Sequence, residues 1–234
     1  IDITLPFIGG KAGNSNSKDS LFGYIFGEYS ELVDEIDEDV LSKTYQVVQT
    51  ESGLPEGEET SSAKKHSFFI PESLRNVTIL NETVVAPGAF MNCAKIKNIR
   101  ILSSQAAGQL DTVSTIAEGA MYGCSGLEEI TLPFVGQMDC YSSVNSLYDV
   151  PVWNGANAQL GYIFGKRLFS GTEQVSVYGE ENKYWYIPSS LKTVSLNHQT
   201  TLPSYAFYNT TMIENVIVSN ATLTTKRNVF YNCK

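Results

Sequence analysis

Apolar side chains return along this chain in short phrases of constant spacing. Ile96, Ile99 and Ile101 are answered by Leu127, Ile130 and Leu132, and again by Ile213, Val216 and Val218. Leu74, Val77 and Ile79, and Leu191, Val194 and Leu196, repeat the same spacing. The last two positions of each set alternate with intervening residues, the period of a β-strand with one face buried. Three of these strands follow a second phrase in which a small residue precedes a large apolar one: Ala89 and Phe90, Ala120 and Met121, Ala206 and Phe207. Cys93, Cys124 and Thr210 hold the same later position in each. This predicts a tight turn packed inside a coil, then a strand. One phrase cannot bury its apolar edge alone, whereas stacked phrases bury it jointly. The expected architecture is a β-rich solenoid with a parallel sheet on one face and irregular turns on the other.

The phrases PGAFMNCAKIKNIRI, EGAMYGCSGLEEITL and PSYAFYNTTMIENVIV superpose without a gap from Ala89, Ala120 and Ala206, and VFYNCK begins a further one at Val229. Ala89 and Ala120 lie 31 residues apart and Ala206 and Val229 lie 23 apart. The shorter value falls in the range of about 20 to 29 residues of leucine-rich repeats, and the longer one carries an insertion around SSQAAGQLD. A longer repeat overlies this one. ITLPFIG at Ile3 returns as ITLPFVG at Ile130, GYIFG at Gly23 returns at Gly161, and FIPESLRNV at Phe69 matches YIPSSLKTV at Tyr186. Two homologous modules, 1–129 and 130–234, are therefore expected to form one continuous solenoid, cut at both ends.

Each module carries an insertion, about 9–69 in the first and 136–186 in the second, too long to be a plain connection. GYIFG and the later SFFIP or KYWYIP are rich in aromatic and β-branched residues, which predicts short strands paired with each other as an antiparallel ribbon. Tyr184, Trp185 and Tyr186 would alternate faces of such a ribbon. In SELVDEIDEDVLSK, Leu32, Ile36 and Val40 fall at steps of four behind Ser30, which predicts a short amphipathic helix.

The repeat phrases resemble the BspA-like leucine-rich repeats of bacterial cell-surface proteins, of the type found in gut Firmicutes, whose units run from a GAF turn through a Cys to a strand. The resemblance covers nearly the whole chain. It departs at Met121, where Phe is usual, and at Thr210, where Cys is usual, and both changes are expected to loosen packing without breaking the pattern. The resemblance implies an exported protein, cell-surface or secreted, that adheres to or binds a host extracellular protein or glycan.

Composition narrows the alternatives. With 42% hydrophobic and 18% charged residues the chain can bury a core. Its net charge of −9 opposes nucleic-acid and anionic-lipid partners, and no stretch approaches the roughly 18 apolar residues of a membrane span. Four cysteines in an exported chain raise the question of disulfides. Cys93, Cys124 and Cys233 instead share one repeat position and read as small buried side chains, with Cys140 outside the repeat. His66 and His198 lie in unrelated contexts, so neither a metal site nor a cofactor is expected. The acidic run Glu31, Asp34, Glu35, Asp37, Glu38 and Asp39 lacks the alternation and glycine of an EF-hand loop and reads as a solvated helix face. No nucleophile elbow, phosphate loop, HExxH or Cys/His pairing occurs, so no catalytic residues are assigned. Sequons at Asn76, Asn81, Asn209 and Asn220 read, in a bacterial protein, as short polar tripeptides.

The candidate ligand-binding residues follow from the repeat alignment. Outward-facing strand residues should form one row through Asn76, Asn98, Glu129, Thr193 and Asn215 and a second through Thr78, Arg100, Thr131, Ser195 and Ile217. Rows of this mixed polarity suit a specific protein or glycan surface, and an ordinary solvated face has the same pattern. Trp153, Tyr184, Trp185 and Tyr186 in the second insertion supply aromatic platforms if exposed, or packing against the solenoid if not. The functional expectation is a non-catalytic adhesion or ligand-binding scaffold. The alternative is a targeting or spacer region of a larger surface protein or enzyme.

Overall fold

The computed structural model describes residues 1–29, 38–54, 64–102, 113–138, 155–219 and 222–234. Its strands are β1 (Asp2–Leu5), β2 (Thr44–Thr50), β3 (Lys65–Pro71), β4 (Asn76–Ile79), β5 (Val84–Val85), β6 (Asn98–Ile101) and β7 (Thr115–Ile116). The second half adds β8 (Glu129–Leu132), β9 (Thr172–Ser176), β10 (Tyr184–Pro188), β11 (Thr193–Leu196), β12 (Thr201–Leu202), β13 (Asn215–Val218) and β14 (Thr224–Thr225). Six of them form one parallel sheet in the order β1-β4-β6-β8-β11-β13. Equivalent positions pair directly: Val77 with Ile99, Ile99 with Ile130, Ile130 with Val194, Val194 with Val216. Alternation places Val77, Ile79, Ile99, Ile101, Ile130, Leu132, Val194 and Leu196 in the core. Full burial of each contributes about 1.5–3 kcal/mol. On the two outermost strands, the matching residues Ile3, Leu5, Val216 and Val218 are only partly buried, because each of those strands has a neighbour on one side alone.

The turns stack as well. Phe90 N–H donates to the Ala120 carbonyl at 2.8 Å and Phe207 N–H to the Val229 carbonyl at 3.0 Å, so each turn hands one hydrogen bond to the next coil. Ala89, Phe90, Ala120, Met121, Ala206 and Phe207 are all buried. Asn92, Gly123, Asn209 and Asn232 share one repeat position, and all have left-handed backbone, with φ of 61°, 77°, 58° and 57°. Asn and Gly adopt this conformation at least cost, so the alignment at this position has a backbone cause. Cys124 Sγ donates to the Phe90 carbonyl at 3.0 Å and Cys233 Sγ to the Phe207 carbonyl at 2.9 Å, each reaching the preceding coil. Cys93, Cys124 and Cys233 are free thiols. Burial pushes the Cys124 thiol up to about 12 and raises Cys93 well above its ordinary value. Cys140 lies outside the described residues. The expected loosening at the two departures is not found. Thr210 is buried and donates to the Phe207 carbonyl of its own coil at 2.8 Å, and Met121 is fully buried.

The insertions differ from expectation in one respect. Antiparallel ribbons exist, yet β3 pairs with β2 and β10 pairs with β9, and GYIFG meets them only at its last glycine, where Gly27 and Gly165 carbonyls accept from Phe69 and Tyr186 N–H at 3.4 and 3.2 Å and Glu28 bridges Phe68. It forms 3-10 turns at Phe22–Phe26 and Leu160–Ile163 that occupy the place of a repeat turn in their coils. Phe22 N–H donates to the Ala89 carbonyl and Leu160 N–H to the Ala206 carbonyl, both at 2.8 Å. A short apolar run reads alike as a strand or as a buried turn, and here the hydrogen-bond ladder of the stack decided between them. Only α1 (Glu38–Leu41) of the expected helix falls among the described residues. Val40 and Leu41 in it are exposed, Asp39 pairs with Lys43 at 2.5 Å, and Leu32, Ile36 and the acidic residues 31–37 lie outside.

A buried polar side chain pins the start of each insertion. Glu82 accepts from the backbone N–H groups of Ile8 and Gly13 at 2.8 and 2.7 Å, and Gln199 at the matching place accepts from Val135 at 2.7 Å. Among the described residues, no helix is long and apolar enough to cross a membrane.

Candidate ligand-binding surface

The outward face of the six-stranded sheet is built from the residues between the buried ones. Its register joins Asn76 to Asn98, Asn98 to Glu129, Glu129 to Thr193 and Thr193 to Asn215. A second row joins Thr78, Arg100, Thr131, Ser195 and Ile217. These are the two rows expected from the repeat alignment, with successive members about 4.8 Å apart across the sheet. β1 extends them with Asp2 beside Asn76 and Thr4 beside Thr78, two positions the alignment did not assign. Within the first row, Asn76 Nδ2 donates to Asp2 Oδ1 at 2.5 Å and Asn98 Nδ2 to Glu129 Oε2 at 3.1 Å. The second row carries one exposed cation, Arg100, and one exposed aliphatic side chain, Ile217, which is 52% accessible. Ion pairs between Lys97 and Glu128 and between Lys192 and Glu214 lie just before the strands at 2.8 and 3.5 Å. Being exposed, they add little stability and give that border of the sheet mixed charge.

The aromatic candidates separate. Tyr184 and Tyr186 fall on the same, partly exposed face of β10. Trp185, on the opposite face, is 1% exposed and is no surface platform. Its ring lies so close over Gly161 that a Cβ there would stand 2.2 Å from Trp185 Cγ. Its Nε1–H donates to Gln159 Oε1 at 3.1 Å, and Lys166 Nζ sits 4.9 Å from its ring centroid. Phe68 covers Gly23 in the same way in the first module. The ribbons are therefore fastened to the stack by one aromatic ring set on one glycine, which accounts for the Gly that opens GYIFG. Trp153 lies outside the described residues.

Two further features were not read from the sequence. An open groove of about 390 Å³ lies between the insertions, lined by Gly53, Pro87, Gly119, Tyr122, Tyr162 and Lys166 among others. At its rim, partial desolvation raises the Glu118 carboxyl above its usual range, and Lys166 is held by Glu180 at 2.7 Å. The second feature is a tyrosine cluster on the turn side. Its Tyr208 and Tyr231 stand two residues after Ala206 and Val229, as Tyr122, which packs on Phe169 instead, stands after Ala120, and that recurrence is the signal that would have found these two.

Among the described residues no group of three or more His, Cys, Asp or Glu is placed to hold a metal ion, and the free thiols of the first coils are buried and protonated. No curated protein and no solved structure matches the chain at a significant level. Six copies of the BspA type leucine rich repeat region are matched, over residues 31–107, 61–177 and 176–234, and the chain belongs to that family.

Proposed function

We propose that this chain is a non-catalytic scaffold, exposed at the cell surface or secreted, that recognises an extracellular protein through the polar rows of its parallel sheet. The two modules, 1–129 and 130–234, act on this reading as one continuous solenoid presenting one recognition face. The observation that carries it is the register: residues from six separate strands are brought into two straight rows. Solenoids use such extended faces to bind partners, and repeat scaffolds of this family are often surface-associated. A flat polar face with a few anchors suits a protein better than a small molecule, since the strongest interface contributions come from central residues such as Arg and large apolar groups. Arg100 and Ile217 are the anchors this face offers.

The test is to pass the protein over immobilised extracellular-matrix proteins and glycan arrays. Saturable protein binding that weakens tenfold or more on Arg100→Ala, with unfolding free energy changed by no more than about 0.5 kcal/mol, supports the reading. Absence of saturable binding to every class, or binding indifferent to Arg100→Ala and Ile217→Ser, overturns it and leaves a spacer.

A further inference from the structure

One position in each turn, immediately before the small buried residue, has left-handed backbone. Three coils place there the residues that tolerate it, Gly88, Gly119 and Asn228, with φ of 65°, 70° and 57°. The fourth places Tyr205 there, at φ 62°. A bulky side chain in that region is strained, and such strain persists where a function keeps it. The fold does not require a tyrosine at this point, since its neighbours build the same turn without one.

What Tyr205 does is visible in its contacts. Its ring lies on that of Tyr178, from the bend of the second ribbon, with centroids 3.4 Å apart and planes 14° from parallel. Tyr208 meets both rings edge-on, at 5.5 Å from Tyr178 and 5.9 Å from Tyr205, and stacks in turn on Tyr231 of the next coil at 5.7 Å. Tyr231 is 56% exposed and Tyr178, Tyr205 and Tyr208 are partly exposed. The Tyr205 phenol is fixed as well. Asn228 Nδ2 donates to the Tyr205 oxygen at 2.9 Å. Beside them Asn232 Nδ2 donates to Asn209 Oδ1 at 2.9 Å. Four rings from three segments of chain are thus held rigid at the surface, with hydroxyl and amide groups around them.

We propose that this cluster, formed by Tyr178, Tyr205, Tyr208 and Tyr231 with Asn209, Asn228 and Asn232, is a binding platform for a neutral glycan. The occupant follows from the chemistry of the surface. The rings present apolar faces that match the C–H face of a pyranose, while phenols and amides both donate and accept, as a hydroxyl-rich ligand requires. The four rings and three amides are themselves uncharged, and the charge that reaches Tyr178 and Tyr205 is that of Arg227 beside them, so the surface that would meet a ligand is mainly neutral although the chain as a whole carries −9. Rigid tyrosines also lose little conformational freedom on binding. The platform lies on turns and not on the strand rows, so it stands or falls independently of the recognition face proposed above.

The experiment titrates the protein with cellohexaose, maltohexaose and chitohexaose, and with a polyuronate as the charged comparison, following tyrosine fluorescence and heat. Saturable binding of at least one neutral hexasaccharide, weakened tenfold or more by Tyr208→Ala and by Tyr231→Ala, is the expected result. Tyr205→Gly is the decisive variant. It should lose hexasaccharide binding while its Tm stays level or rises, because glycine relieves the backbone strain. A lowered Tm with binding intact would assign Tyr205 a purely structural role and overturn the proposal. So would failure of all three neutral sugars, tighter binding of the polyuronate, or capture of a protein partner that these tyrosine variants abolish. Arg100→Ala separates the two readings, since loss of hexasaccharide binding in that variant would place the sugar on the sheet and not on the turns.

Discussion

Gly161 has no side chain to give up, and the Trp185 ring fills the space where one would stand. A Cβ there would meet Trp185 Cγ, Cβ and Cδ1 at 2.2, 2.3 and 2.5 Å, so Gly161→Ala must displace the ring that fastens the second ribbon. Overpacking of this kind costs about 1–3 kcal/mol, and Trp185→Ala, which empties the same site, costs about 3–5 kcal/mol. Urea unfolding of the two variants should show both losses, with the tryptophan variant the weaker fold. A Gly161→Ala protein as stable as the parent would mean that the ring is not seated as described. The asymmetry between Gly161 and Tyr205 is instructive. One is a glycine required by a close approach, the other a tyrosine standing where its counterparts are Gly and Asn.

Among the elements, the first ribbon is held by charge as well as by Phe68. His66 on β3 bridges two carboxylates, with Nδ1 2.9 Å from Glu28 Oε1 and Nε2 3.0 Å from Glu51 Oε1, and Lys18 Nζ reaches Glu28 Oε2 at 3.0 Å. The two bonds leave on opposite sides of the imidazole ring, so they clamp the ribbon and do not converge on an ion. Burial raises the Glu28 carboxyl, but the bonds from His66 and Lys18 outweigh it and hold it below its ordinary value of 4.5. A carboxyl lowered in the folded state stabilises that state above its unfolded value, and the contribution is lost as pH falls through the lowered folded value. Unfolding free energy should therefore drop on acidification below 4.5, and Glu28→Gln should be less stable at neutral pH but flatter through that window. Urea melts on either side of 4.5 check this; equal acid sensitivity in parent and variant would remove Glu28 from the account. The ribbon itself was foreseen, but β2 and β9 were not named as its partners. Their sequences, TYQVVQT and TEQVS, are more polar than GYIFG, and apolar density drew attention to the wrong segment.

Among the described residues the strands and turns of each coil bond to those of the coils beside it, so stability is largely the sum of coil and interface contributions. Within these 234 residues the coil at Val229–Lys234 stacks on the Ala206 coil. Phe230 is 49% exposed, whereas Phe90 and Phe207, its counterparts inside the stack, are fully buried. Hydrogen exchange followed by mass spectrometry should find the slowest amides in β6 and β8 and the fastest among the strands in β13 and β14, as low contact density permits local opening. Uniform protection along the sheet would contradict a coil-by-coil stack.

What the sequence determined by itself was whatever repeats. The strand residues, the buried turn, the shared cysteine position and both polar rows were legible because each coil must satisfy the same backbone and packing conditions as the one below it, so the same residue types return at the same places. The small β5–β7 and β12–β14 pairs recur too, four residues ahead of each turn, yet two residues carry too little pattern to be noticed. Tertiary structure alone decided what happens once or joins distant segments: that Trp185 is an anchor and not a platform, that GYIFG is a turn, that His66 links Glu28 to Glu51, and that Tyr178 folds over Tyr205. Periodicity reports the environment a residue shares with its counterparts in other coils. A contact made between an insertion and the stack has no counterpart to align, and only the folded chain brings its two sides together.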